Sequence, residues 1–343
     1  MNVQAPADKL TAKDFASDQE VRWCPGCGDY AILKGVQKTL ADIEASRENT
    51  VFISGIGCAA RFPYYLSTYG FHTIHGRAPS FATGIKLANP ELNVWLVGGD
   101  GDGLSIGGNH TMHLIRRNVD VNYLLFNNEI YGLTKGQYSP TSRLGTRSPS
   151  TPVGSVDNPV SALSFAMGSG AHFIARIIDR DQKRMPGLLA RADANAGCSF
   201  VEILQNCIVY NDNVFGHFTD KDVADDNQVW CEHGEPLTFG KEREKGLQFD
   251  GKSFTLKVVT IGQDGITEDD ILVHDENNRI LGTMLAGMQP PHFPVALGVI
   301  YASPSPTYER AVLAQNEAAR AKVKDTLPSI DALLRQGHVW EVK

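Results

Sequence analysis

Two cysteines stand three positions apart in Trp23-Cys24-Pro25-Gly26-Cys27, and four more, Cys58, Cys198, Cys207 and Cys231, lie singly along a chain of 343 residues. A dithiol at a helix N-terminus has a lowered thiol pKa and suits disulfide exchange. Such a pair follows an apolar strand, whereas Asp14-Phe15-Ala16-Ser17-Asp18-Gln19-Glu20 is polar. A structural zinc site usually brings a second closely spaced pair, and the remaining cysteines are single. Four thiolates from scattered loops can instead hold a cubane iron-sulfur cluster; the alternative is that these are packing residues. Cys58 favours the cluster, because it follows the Gly-x-Gly turn Gly55-Ile56-Gly57.

That turn, extended to Cys58-Ala59-Ala60, formally matches the Gly-x-Gly-x-x-Ala fingerprint of nicotinamide dinucleotide sites. The fingerprint also needs an acid ~20 residues on for the ribose, and no Asp or Glu occurs between Gly55 and Pro90. Gly99-Asp100-Gly101 and Asn127-Asn128 are more specific. A Mg²⁺ ion takes six oxygens, few of them from protein when a phosphate is present. Asp100, the Asn128 amide oxygen 28 residues later and a backbone carbonyl just beyond supply three. A diphosphate adds two more, and the glycines let backbone N–H groups approach it. Either cluster alone reads as a turn. Both together, each after an apolar strand, read as a metal-diphosphate site.

The elements that must position these residues follow from periodicity. Apolar runs at 51–54, 94–97, 121–126 and 200–204 predict buried strands, and helical spacing predicts helices over 30–40, 107–117 and 308–324. Alternating strands and helices predict a doubly wound α/β domain with a mostly parallel sheet. The three glycine and asparagine clusters then fall at the carboxyl ends of strands, where ligands bind in such sheets. Residues 136–160, rich in Ser, Thr, Pro and Gly, form a long loop of the kind that is usually functional. The expected organisation is an N-terminal arm over 1–20, the α/β domain over 21–231, and an appended C-terminal segment over 232–343 with short strands at 255–260 and 271–274.

Composition narrows the classes further. With 42% hydrophobic and 21% charged residues the chain is an ordinary globular protein, and 32 basic against 39 acidic residues give a net charge of −7. A chain that lives on a phosphate backbone is basic, so nucleic acid is excluded as principal partner. The N-terminus lacks the apolar core of a signal peptide, and no apolar run approaches the ~18 residues of a membrane span. The expectation is a cytoplasmic protein without a membrane partner, whose six cysteines do not form a disulfide framework.

Taken in order, Trp23-Cys24-Pro25-Gly26-Cys27-Gly28, Ser54-Gly55-Ile56-Gly57-Cys58, His72-Thr73-Ile74-His75-Gly76-Arg77, Gly99-Asp100-Gly101-Asp102, Gly107-Gly108-Asn109-His110, and Asn127-Asn128 followed by Ile130-Tyr131-Gly132-Leu133-Thr134-Lys135-Gly136-Gln137 resemble the thiamine diphosphate-binding beta subunit of the 2-oxoacid:ferredoxin oxidoreductases, especially the 2-oxoglutarate enzymes. The resemblance runs from about Arg22 to Asp212. It implies that Cys24, Cys27, Cys58 and Cys207 hold a [4Fe-4S] cluster, and that Asp100, Asn128 and the carbonyl of Ile130 hold Mg²⁺. It also implies that Ile56, Gly57, Cys58, Ala59, His75, Gly101, Asp102, Gly132 and Leu133 line thiamine diphosphate, and that Lys135 meets the 2-oxoacid carboxylate. Cys198 and Cys231 match no ligand position and are expected in the core.

The activity so implied is coenzyme A-dependent oxidative decarboxylation of 2-oxoglutarate to succinyl-CoA and CO₂. Thiamine acts as the electron sink, and the cluster passes electrons singly to ferredoxin. The reaction is reversible, as a CO₂-fixing synthase of a reductive tricarboxylic acid cycle would require. Pyruvate or a broad range of 2-oxoacids is the alternative substrate set. The glutamate that activates thiamine is expected from a separate alpha chain, in a dimer of alpha-beta pairs, and the isolated beta chain is expected to be inactive. Two readings of other classes stand beside this one: a nicotinamide-dependent dehydrogenase, and a non-catalytic, metal-stabilised subunit.

Overall fold

The computed structural model of the chain describes residues 9–323 and 328–342. The first part of the expected N-terminal arm, 1–8, and Lys324 at the end of the expected C-terminal helix lie outside the described residues. Eleven strands are present among those described: β1 (Thr50–Ser54), β2 (Tyr69–His72), β3 (Asn93–Gly99), β4 (Asn122–Asn127), β5 (Phe173–Ile178), β6 (Ser199–Leu204), β7 (Gln228–Cys231), β8 (Thr238–Phe239), β9 (Lys245–Asp250), β10 (Thr255–Thr260) and β11 (Val295–Ala302). The helices are α1 (Asp29–Asp42), α2 (Ala78–Ala88), α3 (Gly108–Arg116), α4 (Ala162–Gly168), α5 (Met185–Ala194), the single turns α6 (Gly216–Thr219) and α7 (Ala224–Asn227), α8 (Arg279–Gly287), α9 (Tyr308–Val323) and α10 (Ile330–Leu334).

One sheet of eight strands runs in the order β2-β1-β3-β4-β6-β5-β11-β7. Every neighbouring pair is parallel except β5 with β11. Strands β1, β4, β5 and β6 are buried along their whole length, as a parallel sheet covered on both faces requires. Successive side chains alternate between two cores, because the side-chain period of a strand is two. Val51, Ile53, Leu96, Tyr123 and Leu125 enter one core, where Ala82, Leu114, Leu163 and Leu285 of α2, α3, α4 and α8 pack against them. Phe52, Trp95, Val97, Leu124 and Phe126 enter the other, under Ile32, Val36 and Leu40 of α1 and Leu189 of α5. The doubly wound, mostly parallel α/β fold is therefore present. The chain steps from β1 out to β2 and back past β1 to β3, so the loops after β1 and β3 diverge and leave a crevice at the carboxyl ends of the strands.

Three expectations change. Phe15, in the polar N-terminal stretch, is fully buried in the core over α1, and Ala16 bridges Leu66; one aromatic side chain is enough to anchor that part of the arm. The 232–343 stretch is not simply appended, since β11 inserts between β5 and β7 and α8 packs on the first core. Only β8, β9 and β10 form a separate small antiparallel sheet. Residues 271–274 contribute a single bridge, Pro236 to Val273, rather than a strand. No helix among the described residues is long and apolar enough to cross a membrane.

Candidate functional site

The loops at the carboxyl ends of β1, β2, β3 and β4 meet at one cleft. Ile56, Gly57, Cys58, Ala59, His75, Asp100, Gly101, Asp102, Asn128, Ile130, Gly132 and Leu133 all line it, and they come from four different loops. Lys135 does not: it is exposed, at φ 75° in a tight turn beyond the cleft, with its N–H donating to the Gly132 carbonyl at 3.1 Å. The cleft measures about 90 Å³, below the ~300 Å³ lower end of ordinary ligand pockets. A cleft of that size can hold part of a larger ligand but does not enclose one.

Asp100, at the end of β3, is 2% exposed. Its Oδ2 accepts hydrogen bonds from Ser139 Oγ at 2.5 Å and Thr141 Oγ1 at 2.6 Å. Burial pushes its carboxyl up to about 6, an effect the two hydroxyls and the Gly101 N–H only partly offset. Such a carboxylate fits a cation, whose charge would compensate the desolvation. Asn128, past β4, donates from Nδ2 to Gln205 Oε1 at 2.7 Å, so its Oδ1 is the free end and accepts from the Ile130 N–H at 3.1 Å. Glu129 between them has φ 54°, a left-handed conformation uncommon for a side-chain-bearing residue and often found at functional sites. Its carboxyl is pushed up to about 7 by burial, opposed by Arg143, whose Nε lies 3.1 Å from Glu129 Oε2. Gly101 has to be glycine: a Cβ there would lie 2.1 Å from the Tyr131 ring, whose hydroxyl donates to the Gly101 carbonyl at 3.1 Å.

Asp102 acts differently from a simple lining residue. It is buried, and its Oδ1 accepts from the Gly76 N–H at 2.8 Å and the Ile56 N–H at 3.0 Å, while His75 Nδ1 lies 2.7 Å away. One carboxylate thereby joins the turn after β1 to the His75-Gly76 turn and orients the imidazole. Burial raises its pKa, and those N–H groups and His75 pull it back.

The four candidate cluster thiols converge behind the cleft. The indole N–H of Trp23 donates to the Cys58 carbonyl at 2.7 Å, the Gly28 N–H to the Asn206 carbonyl at 3.2 Å, and Gln205 Nε2 to Cys27 Sγ at 3.2 Å. A Cβ on Gly132 would sit 3.5 Å from Cys207 Sγ and 3.7 Å from Cys58 Sγ, so glycine there brings the cleft wall against both thiols. Burial first, then the Asp29 carboxylate and the neighbouring thiols, pushes Cys58 up to about 12 and raises Cys27 as well. A redox dithiol needs the opposite shift. Among the described residues no three His, Cys, Asp or Glu side chains are arranged around a single ion. Four cysteine thiols drawn to one place are the donor set that a cubane cluster takes. Cys198 and Cys231 sit in the first apolar core.

Several residues at the site carried no signal in the sequence. Ser139 and Thr141 are two hydroxyls in a loop rich in hydroxyls, and nothing local ties them to Asp100. Asp29 reads as an ordinary acid in the first turn of a helix. In the fold it is fully buried, and burial pushes its carboxyl up to about 7, with Asp179 adding to the shift and Cys27 opposing it.

Comparison with known proteins places this geometry in a class. Residues 55–203 match the model of the thiamine pyrophosphate enzyme, C-terminal TPP binding domain, a span that begins just after β1, carries β2 to β5 and nearly all of β6, and includes most of the cleft. The fold is that of a thiamine diphosphate-binding α/β domain. The chain is 46% identical over 331 residues, 96% of its own length and 88% of the relative's, to the 2-oxoglutarate oxidoreductase subunit KorB of Mycobacterium tuberculosis. It is 41% identical over 212 residues, 61% of the chain and 70% of the relative, to the 2-oxoacid:ferredoxin oxidoreductase subunit beta of Saccharolobus solfataricus. Among solved structures, a chain of 2-oxoglutarate:ferredoxin oxidoreductase from Magnetococcus marinus, with 2-oxoglutarate, coenzyme A and succinyl-CoA bound, matches with a TM-score of 0.74 at 31% identity over 94% of this chain and 97% of that one. The chain belongs to the family of beta subunits of 2-oxoacid:ferredoxin oxidoreductases.

Proposed function

We propose that the chain is the beta subunit of a 2-oxoglutarate:ferredoxin oxidoreductase. With an alpha subunit, in a dimer of alpha-beta pairs in the cytoplasm, it catalyses the reversible, coenzyme A-dependent oxidative decarboxylation of 2-oxoglutarate to succinyl-CoA and CO₂, with ferredoxin as electron partner. The observation that carries this reading is the 46% identity, across 96% of the chain, to a 2-oxoglutarate oxidoreductase subunit. Bound thiamine diphosphate supplies the electron sink for decarboxylation, and a [4Fe-4S] cluster carries the electrons away singly.

The chain's own residues divide the remaining work. Asp100, Asn128 and the Ile130 carbonyl hold Mg²⁺, and Gly101 lets the backbone approach the diphosphate. Asp102 fixes His75 and Ile56 at the cleft wall. Cys24, Cys27, Cys58 and Cys207 would hold the cluster, with Cys58 lining the cleft itself. Lys135, exposed beyond the cleft mouth, orients the substrate carboxylate by a charge-assisted hydrogen bond. A broader 2-oxoacid range including pyruvate is the second reading, favoured by the name of the Saccharolobus relative, a 2-oxoacid:ferredoxin oxidoreductase.

Ferredoxin reduction by the purified alpha-beta complex, with 2-oxoglutarate and pyruvate compared and coenzyme A present or omitted, tests the proposal. The expected result is a higher kcat/KM for 2-oxoglutarate and dependence on coenzyme A. A kcat/KM for pyruvate equal to or above that for 2-oxoglutarate overturns the substrate assignment. A hydrogen bond to a charged group contributes ~1.5–3 kcal/mol, so Lys135→Ala should lower kcat/KM by roughly 10- to 150-fold with cofactor content unchanged.

A further inference from the structure

Asp100 is the end of a chain of buried polar contacts that starts three strands away, at β5. Its Oδ2 is gripped by two hydroxyls from the 136–160 loop, Ser139 and Thr141. Thr141 Oγ1 also lies 2.9 Å from Asn127 Oδ1. The orientation of the Asn127 amide is not free, because its Nδ2 donates to Glu202 Oε1 at 2.7 Å. An ionised carboxylate only accepts, so the amide oxygen must face Thr141. The other oxygen of Glu202 accepts from Arg176 Nε at 2.6 Å. Arg176 and Glu202 face each other in the register of β5 and β6, and they are 8% and 1% exposed.

We propose that Thr141, Asn127, Glu202 and Arg176 form a relay that positions Asp100 for its metal, with Thr141 and Glu202 as positioning residues. The inference rests on the reading of Asp100 as a Mg²⁺ ligand. Thr141 has one hydroxyl proton and two acceptors, Asp100 Oδ2 and Asn127 Oδ1. The single proton is shared or exchanged between the two, so the hydroxyl of this β-branched side chain stays directed into the gap between Asp100 Oδ2 and Asn127 Oδ1. With Oδ2 pinned, the carboxylate presents its other oxygen in a fixed direction. A buried ion pair contributes little net stability relative to an apolar pair of the same shape. What Glu202 and Arg176 provide is orientation of the Asn127 amide, and through it of Thr141. The relay also gives the Ser139 to Ser142 turn a purpose. That turn is fastened to the strand-end loop by Ser142, whose hydroxyl donates to the Glu129 carbonyl and accepts from the Ser139 N–H at 2.8 Å.

The test is the Mg²⁺ concentration that half-saturates thiamine diphosphate binding to the alpha-beta complex, followed by calorimetry, with the thermal unfolding midpoint and iron content recorded alongside. Thr141→Val should raise that concentration about tenfold or more, the equivalent of one charge-assisted hydrogen bond. Thr141→Ser, which restores the hydroxyl, should stay near the wild-type value. Glu202→Gln should raise it several-fold with iron content unchanged. Should that variant fail to assemble, the Arg176→Met/Glu202→Met pair removes both charges together and should give the same rise. Asp100→Ala separates the two levels of the reading. If it leaves the Mg²⁺ dependence unchanged, the metal assignment falls; if it abolishes binding while Thr141→Val and the Glu202 variants match wild type, the relay alone is overturned.

Discussion

Burial raises the pKa of Cys27, Cys58, Cys198 and Cys231 alike, so pKa does not separate ligands from packing residues; surroundings do. Cys198 and Cys231 are enclosed by aliphatic side chains, whereas Cys27 and Cys58 adjoin one another, Cys207 and the Asp29 carboxylate. Serine in place of Cys24, Cys27, Cys58 or Cys207 should therefore lower iron per chain and weaken the paramagnetic resonance signal of the reduced protein. The same change at Cys198 or Cys231 should leave iron intact, and full iron in Cys58→Ser would remove the cluster assignment. A second single-residue effect concerns pH. His274 is 1% exposed, with Nε2 2.8 Å from the Val299 carbonyl and Nδ1 without a partner. Burial lowers its pKa below 6.5, with His233 adding to the shift and the Val299 carbonyl, Glu276 and Asp275 opposing it. The folded state thus binds fewer protons than the unfolded one. The stability contributed by neutral His274 is complete above pH 6.5 and is lost as pH falls toward the depressed folded value. Asp29 and Glu129, raised to about 7, and Asp100, raised to about 6, act in the opposite sense, so the His274 effect is read as a difference: the wild-type urea midpoint minus that of His274→Gln should fall as pH is lowered from 8 to 5, and a difference independent of pH would remove this role.

Among the elements, what assembles the thiols is a set of ties between segments remote in sequence. The indole of Trp23 reaches 35 residues forward to the Cys58 carbonyl, and packs at 4.8 Å on Tyr65 and 5.6 Å on Tyr30 by ring centroids. Trp23→Phe keeps most of that aromatic packing but leaves the Cys58 carbonyl without its donor, at a cost of about 1 kcal/mol. The expected outcome is a modestly lower unfolding midpoint and faster loss of iron to a chelator, with ferredoxin reduction retained before loss; an unchanged rate of iron loss would show that the tie does not hold the Cys58 turn. The central strands were readable as elements because a strand buried on both faces is a continuous apolar run, as Tyr123-Leu124-Leu125-Phe126 is. Strand β2 was not, since Tyr69-Gly70-Phe71-His72 lies exposed at the sheet edge and has neither the run nor the alternation.

For the molecule as a whole, the C-terminal third completes the sheet. Removing β11 would uncover one edge of β5 and separate β7 from the other strands. A chain ending at Cys231 is accordingly expected to be insoluble or unfolded by circular dichroism, and a soluble, cooperatively unfolding fragment would show that 21–231 is autonomous. The sequence alone was enough for what is local: α/β alternation, the strand-end position of Gly55-Ile56-Gly57, Asp100 and Asn128, the Cys24-Cys27 pair, and the ordered motifs that place the chain in its family. Periodicity and turn chemistry are properties of neighbouring residues, and a motif is a property of order. Tertiary structure decided the pairing of Val295–Ala302 with β5 and β7, the burial of Phe15, the use of Asp102 as a strut, and the meeting of Ser139 and Thr141 with a carboxylate 39 and 41 residues away. Those contacts are set by which strands lie side by side, and strand adjacency is fixed by the fit of two whole cores against the sheet rather than by any local pattern.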